Sequence, residues 1–206
     1  MPPHSDLPYI WRIDLRRDYY YNKAKREGYR TRASYKLKQI NKKFNVIGRG
    51  DVVLDLGAAP GGWLQVAKEI SMGTVIGVDF QKIEDILDVK TIRGDITIDE
   101  TILKIKKEIK TADVVISDAS PNLSGNWGYD HARSIELSGS ALKLSEAFLK
   151  PGGSFVVKVF RGDLYDAFLD TIRKRFGYVR AYTPEASRKQ SAEIYLICKK
   201  YKLEQA

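Results

Sequence analysis

The chain has 206 residues, 43% hydrophobic and 30% charged, with a formal net charge of +9 at pH 7, enough for one α/β domain with a core and short for two. No apolar run approaches the ~20 residues of a membrane span, and the first ten residues lack the apolar region of a signal peptide, so a cytoplasmic protein is expected. Cys198 is the only cysteine and His4 and His131 the only histidines, which excludes an intramolecular disulfide and leaves no visible ligand cluster for a metal.

The charge is unevenly spread. Residues 1–44 hold 12 Lys and Arg against 4 Asp and Glu, and the remainder holds 23 against 22. The same segment carries Tyr9, Trp11, Tyr19, Tyr20, Tyr21, Tyr29 and Tyr35. Cations interleaved with aromatic rings suit a nucleic-acid surface, where phosphates and bases are met together. A solvated basic helix with core tyrosines is the competing explanation.

In chain order, residues 1–15 show no period and are expected to form an arm. Arg16 to Glu27 reads as a helix closed near Gly28. Arg32 to Phe44 reads as a second, with Ala33, Leu37, Ile40 and Phe44 on one face and Lys36 at its border. From Val52 onward the pattern alternates between strand and helix, which implies right-handed βαβ units and a mostly parallel sheet. Strands are expected at 52–56, 74–79, 90–93, 113–117, 153–160, 178–182 and 191–198. Helices are expected at 61–70, 100–110, 132–149 and 163–176, with Asp99 capping the one at 100–110. Pro151-Gly152-Gly153 should break the chain before the strand at 153. The last two strands are joined by a short polar loop, Thr183 to Gln190, which favours an antiparallel hairpin at the sheet edge.

The stretch from Asp51 to Trp63 organises the rest. Val52, Val53, Leu54 and Leu56 form a short apolar strand that ends in Gly57 and turns into a helix near Gly61, the nucleotide-binding corner of an open α/β sheet. The dinucleotide pattern G-x-G-x-x-G fails at its middle position, Ala59, and the P-loop fails because Trp63 stands where lysine should be. The corner therefore suits a nucleoside without a pyrophosphate. In such sheets ligands bind beyond the carboxyl ends of the strands. Gly57, Asp79, Asp95, Asp118 and Lys158 all fall there, and Glu193 joins them if the last strand is antiparallel. Asp79 follows Gly57 by 22 residues, close to the ~20 expected for a carboxylate that accepts from ribose hydroxyls. Lys158 lies between Val156, Val157, Val159 and Phe160, a placement a lysine rarely takes without a partner.

The stretches LDLGAAPGGW, SDASPNLSG (Ser117 to Gly125) and GGSFVVKVFRG (Gly152 to Gly162) together resemble the FtsJ (RrmJ) family of RNA 2′-O-ribose methyltransferases, from about Tyr19 to about Lys199. The resemblance implies a Rossmann-like seven-stranded methyltransferase sheet with helices on both faces. It also implies one methyltransferase domain over 1–206, with residues 1–44 as a basic helical extension, and S-adenosylmethionine as cofactor. Lys36, Asp118, Lys158 and Glu193 match the family's catalytic K-D-K-E tetrad, within S-Y-K-L, S-D-A-S-P, V-V-K-V-F and S-A-E-I-Y. The resemblance assigns Gly57, Gly61, Trp63, Asp79, Asp95 and Asp118 to the cofactor, with Asp95 on the adenine amino group.

Methyl transfer to a ribose hydroxyl needs chiefly alignment and removal of one proton. Lys158 is the candidate general base, or else stays charged and orients the hydroxyl. Asp118 holds it, while Lys36 and Glu193 position the nucleotide. Arg30, Arg32, Lys23, Lys25, Lys38 and Lys42 are the candidate RNA contacts. The expected partner is a uridine of large-subunit ribosomal RNA, with transfer RNA the alternative substrate and a non-catalytic RNA-binding protein the alternative class. A monomer without metal is expected. Ser120-Pro121 and Asn126-Trp127-Gly128-Tyr129 depart from the bacterial ribosomal members, near the expected substrate cleft.

Overall fold

Strand β1 (Val53–Leu56) is the hub of a seven-stranded sheet whose strand order is β3-β2-β1-β4-β5-β7-β6. Here β2 is Val75–Asp79, β3 Lys90–Arg93, β4 Ala112–Ser117, β5 Leu149–Phe160, β6 Phe176–Tyr182 and β7 Glu193–Tyr201. The structure, a computed structural model, describes residues 19–188 and 190–203. The expected arm at 1–15 and the start of the first helix lie outside them. Within them α1 covers 19–26, followed by α2 (Ser34–Phe44), α3 (Gly62–Ser71), α4 (Glu100–Lys106), α5 (Trp127–Phe148) and α6 (Tyr165–Arg175).

β1 pairs in parallel with β2 and β4, and β4 in parallel with β5. β7 runs antiparallel to both β5 and β6. Side chains alternate between the faces of a strand, and the core divides accordingly. Leu54, Leu56, Phe155, Val157, Ile194 and Leu196 pack towards α5 and α6, while Val53, Val156, Tyr195 and Ile197 pack towards α2 and α3. Lys158 and Glu193 share the parity of Val156 and Tyr195, so the fold turns them to the α2 face. That parity decides where the chemistry sits.

Three element ends differ from expectation by four or five residues, and one expected cap is not made. Pro151-Gly152-Gly153 lies inside β5, which begins at Leu149; the ladder to β4 absorbs the extra residues as a register shift between Ala112 and Val114. α5 starts at Trp127, five residues before the expected 132, because the Asn126 side chain accepts from the Tyr129 N–H at 3.2 Å and caps it there. α4 ends at Lys106 instead of 110. Asp99 stands at its N-cap position without capping, its carboxylate paired instead with Lys143 at 2.6 Å.

Candidate active site

At the carboxyl ends of β1, β2 and β4 the sheet opens a cleft of about 510 Å³, with Gly57, Asp79, Asp95 and Asp118 in its lining. Gly57 turns the chain at φ +74, and a Cβ there would come within 2.5 Å of the Ala119 Cβ. Only glycine lets the loops after β1 and β4 approach this closely. The Asp79 carboxylate accepts from the N–H groups of Ala59 at 2.9 Å and Gln81 at 2.8 Å, which fixes it at the cleft wall. Asp95 accepts from the N–H and hydroxyl of Thr97 at 2.9 and 2.7 Å.

The paired glycines serve another purpose. A Cβ on Gly62 would meet Thr31 Oγ1 at 2.4 Å and Ser34 Oγ at 2.8 Å, and Ser34 donates to the Gly62 carbonyl at 2.9 Å. They bring α2 hard against the start of α3. Gly61 and Trp63 consequently lie behind the cleft. A Cβ on Gly61 would strike Ile86 and Arg30. Trp63 is buried, its indole N–H donating to the Ala33 carbonyl at 2.9 Å.

Beside the cleft, and sharing Gly57, Ala59 and Asp118 with it, is a recess of about 80 Å³ that Trp63 and Asp55 help to line. Asp55 is fully buried, and among the described residues neither carboxylate oxygen has a hydrogen-bond partner. Burial, then the Asp118 and Asp79 carboxylates nearby, push its pKa well above the usual range. Sequence reasoning missed Asp55 because it sits within the apolar run of β1.

On the α2 face the four residues Lys36, Asp118, Lys158 and Glu193 are drawn together. Lys158, 7% exposed, donates from Nζ to the Asp118 carbonyl at 2.6 Å and stands 3.1 Å from Asp118 Oδ1. Lys36 Nζ and Glu193 Oε1 are paired at 2.6 Å. Tyr195 joins the two pairs: its hydroxyl donates to Asp118 Oδ1 at 2.6 Å and its ring lies 5.6 Å from Lys36 Nζ. Burial alone would raise the Asp118 pKa, but the Lys158 and Lys36 cations and the Tyr195 hydroxyl outweigh it and hold the carboxyl below its usual value. The Tyr195 hydroxyl is pushed well up by burial and by Asp118. Tyr195 reads in the sequence as one more aromatic in a buried strand; its two-residue offset from Glu193 was the available signal.

The expected RNA contacts separate into two groups. The Arg30 guanidinium donates to the carbonyls of Pro60, Glu84 and Asp85, each at 2.8 Å, and Arg32 donates to the Ala186 carbonyl at 2.7 Å. These two arginines tie loops together. Lys38 pairs with Glu69 at 3.3 Å and lies over the Tyr29 ring, and Lys23 lies over Tyr35. Lys25 and Lys42 are exposed. Among the described residues no group of His, Cys, Asp and Glu is arranged to hold a metal, and no helix is long and apolar enough to cross a membrane.

A family model of FtsJ-like methyltransferases matches residues 29–201. Ribosomal RNA large subunit methyltransferase E of Methanosarcina acetivorans is 64% identical over 188 residues, 90% of this chain and 69% of that protein. Its namesake from Methanocaldococcus jannaschii is 51% identical over 199 residues, 93% of this chain and 81% of that protein. Among solved structures, one described as a ribosomal RNA methyltransferase from Plasmodium falciparum superposes with a TM-score of 0.77 at 30% identity, covering 84% of this chain and 98% of that one.

Proposed function

Because the chain belongs to the FtsJ-like methyltransferase family, we propose that it transfers a methyl group to a ribose 2′-hydroxyl of RNA, acting as a cytoplasmic monomer on a uridine of large-subunit ribosomal RNA. The observation that carries this reading is the meeting of Lys36, Asp118, Lys158 and Glu193 on one face, beside a cleft of nucleoside size. The relatives named as ribosomal RNA large subunit methyltransferase E support the choice of RNA. The methyl donor is S-adenosylmethionine, which when bound supplies an electrophilic methyl on a sulfonium. The residues present suit it. In this reading Asp79 accepts from the ribose hydroxyls and Asp95 takes the base. The unpartnered Asp55 carboxylate, facing the recess, fits the donor's ammonium.

Lys158 acts on the acceptor. An amino group has three hydrogen-bonding positions besides its carbon, and Asp118 occupies two of them through its carbonyl and carboxylate. The third is left for the ribose hydroxyl. Lys158 Nζ takes that hydroxyl's proton as the new C–O bond forms, an event that requires the amine to be unprotonated at that moment. Asp118, itself fixed by Tyr195, holds the amine in line. Holding the reacting groups in this geometry is worth several kcal/mol by itself. The Lys36–Glu193 pair forms the neighbouring wall and positions the nucleotide.

Purified protein incubated with labelled S-adenosylmethionine and, separately, large-subunit ribosomal RNA, intact large subunits and transfer RNA tests the reading. Label should enter ribosomal RNA at a uridine and survive alkaline hydrolysis at that linkage, since a 2′-O-methyl group blocks cleavage there. Label in transfer RNA alone would replace the substrate, and label in no RNA would refute the proposal.

A further inference from the structure

We propose that Trp127 is a stacking platform for an unpaired RNA base next to the acceptor nucleotide; this rests on the RNA reading above. Trp127 opens α5, and 51% of its surface is exposed. It is no stray surface ring. Its plane lies 19° from those of both His131 and Phe160, with centroids 6.1 Å apart in each case, so two protein rings hold the plane of the indole while half of its surface stays open to solvent.

The layer beneath is locked. His131 is buried, accepts at Nε2 from the Leu164 N–H at 3.0 Å, and lies so close to Gly162 that a Cβ there would come within 2.7 Å of the imidazole. The approach to the ring is locked as well. The Asp130 carboxylate accepts from the N–H and hydroxyl of Ser124, both at 2.8 Å, and from the Gly125 N–H at 3.2 Å, while Asn126 caps the helix. None of these bonds uses the indole. A rigid aromatic ring whose supports are already in place costs little entropy to engage.

Its location identifies the occupant. Phe160, in stacking contact with the indole, follows Lys158 by two residues on β5, about 7 Å along the strand. Whatever carries the acceptor hydroxyl to Lys158 therefore has its neighbouring nucleotide over Trp127. Exposed cations belong to the same segments: Arg161 follows Phe160, and Arg133, on α5 with Trp127, lies 5.6 Å from the exposed Tyr129 ring. Phosphates on either side of a stacked base would meet them. Aromatic faces with adjacent cations are how single-stranded RNA is held without a base-specific code.

The test uses the full chain and two probes, a single-stranded oligouridylate carrying one 2-aminopurine and a transcript of large-subunit ribosomal RNA. Trp127→Ala should abolish the quenching of 2-aminopurine fluorescence and raise KM for the transcript roughly five- to a hundredfold. KM for S-adenosylmethionine and the thermal midpoint should not move. Trp127→Phe should restore most of both RNA readouts, whereas Trp127→Leu, which keeps apolar bulk without a ring face, should not. Should Trp127→Ala fail to fold, the contrast between Phe and Leu decides alone. Equal RNA affinity in Trp127→Leu and the wild type would overturn the platform while leaving the methyl-transfer reading intact. Trp127-dependent quenching without methyl transfer to any RNA would keep the platform and overturn the reading. Quenching that survives in Trp127→Leu would show that the base stacks elsewhere and also refute the proposal.

Discussion

A lysine within a strand between Val157 and Val159 is stable only because its charge is answered at once, by the Asp118 carboxylate at 3.1 Å and carbonyl at 2.6 Å. Removing one member of a buried pair commonly costs 3–5 kcal/mol through the charge left behind, although Lys36 and Tyr195 remain to steady Asp118. Lys158→Ala is therefore expected to lose methyl transfer and some thermal stability while binding S-adenosylmethionine with unchanged affinity by calorimetry; loss of donor affinity in step with activity would make the lysine structural.

Asp55 and Asp118 are opposite cases. The Asp118 pKa is depressed, so its contribution to stability is present above the ordinary carboxylate value near 4 and is lost as pH falls below it. The Asp55 pKa is raised, so its contribution is present below about 4 and disappears as pH rises through the folded value. Asp55→Asn removes that loss. The variant is expected to gain thermal midpoint relative to wild type on going from pH 5 to pH 8, and to bind S-adenosylmethionine more weakly; midpoints that track each other across this range would show that Asp55 carries no such burden.

Among the elements, α1 and α2 bear the basic surface that the sequence marks out. Lys25, Arg26, Lys42 and Lys43 are its exposed cations, whereas Arg30 is spent on three carbonyls. Lys25→Ala with Lys42→Ala should weaken RNA binding and lower its salt slope by about 0.7 per lost contact to single strands, with donor affinity untouched. An unaltered slope would leave this face merely solvated. Element types were legible throughout, because apolar periodicity and glycine punctuation agree from Val52 to Cys198. What escaped was set by partners distant in sequence. Nothing local says that Asp99 prefers Lys143 to its own helix end, that β4 tolerates Pro151 through a register shift, or that Arg30 reaches the 84–85 loop. The tetrad was legible through resemblance. Tyr195 and Asp55, which complete its surroundings, were not, since an aromatic or an aspartate inside a buried run looks like its neighbours.

For the whole molecule, sheet order governs which parts assemble together. Among the described residues β6 pairs with no strand except β7, and β7 lies between β6 and β5. The two are joined by a short loop, and closing such a loop costs little, so the hairpin docks onto β5 as one piece and brings Glu193 and Tyr195 with it. The cleft beside them is built on β1, β2, β4 and α5 and takes no residue from the hairpin. Native-state hydrogen exchange should then find β6 and β7 opening together, at lower free energy than β1 and β4; β7 exchanging with β1 while β6 frays alone would contradict this. The subglobal opening of a single hairpin would thus disarm the acceptor side and leave the methyl donor in place, making catalytic competence a property of one cooperative unit instead of the entire fold.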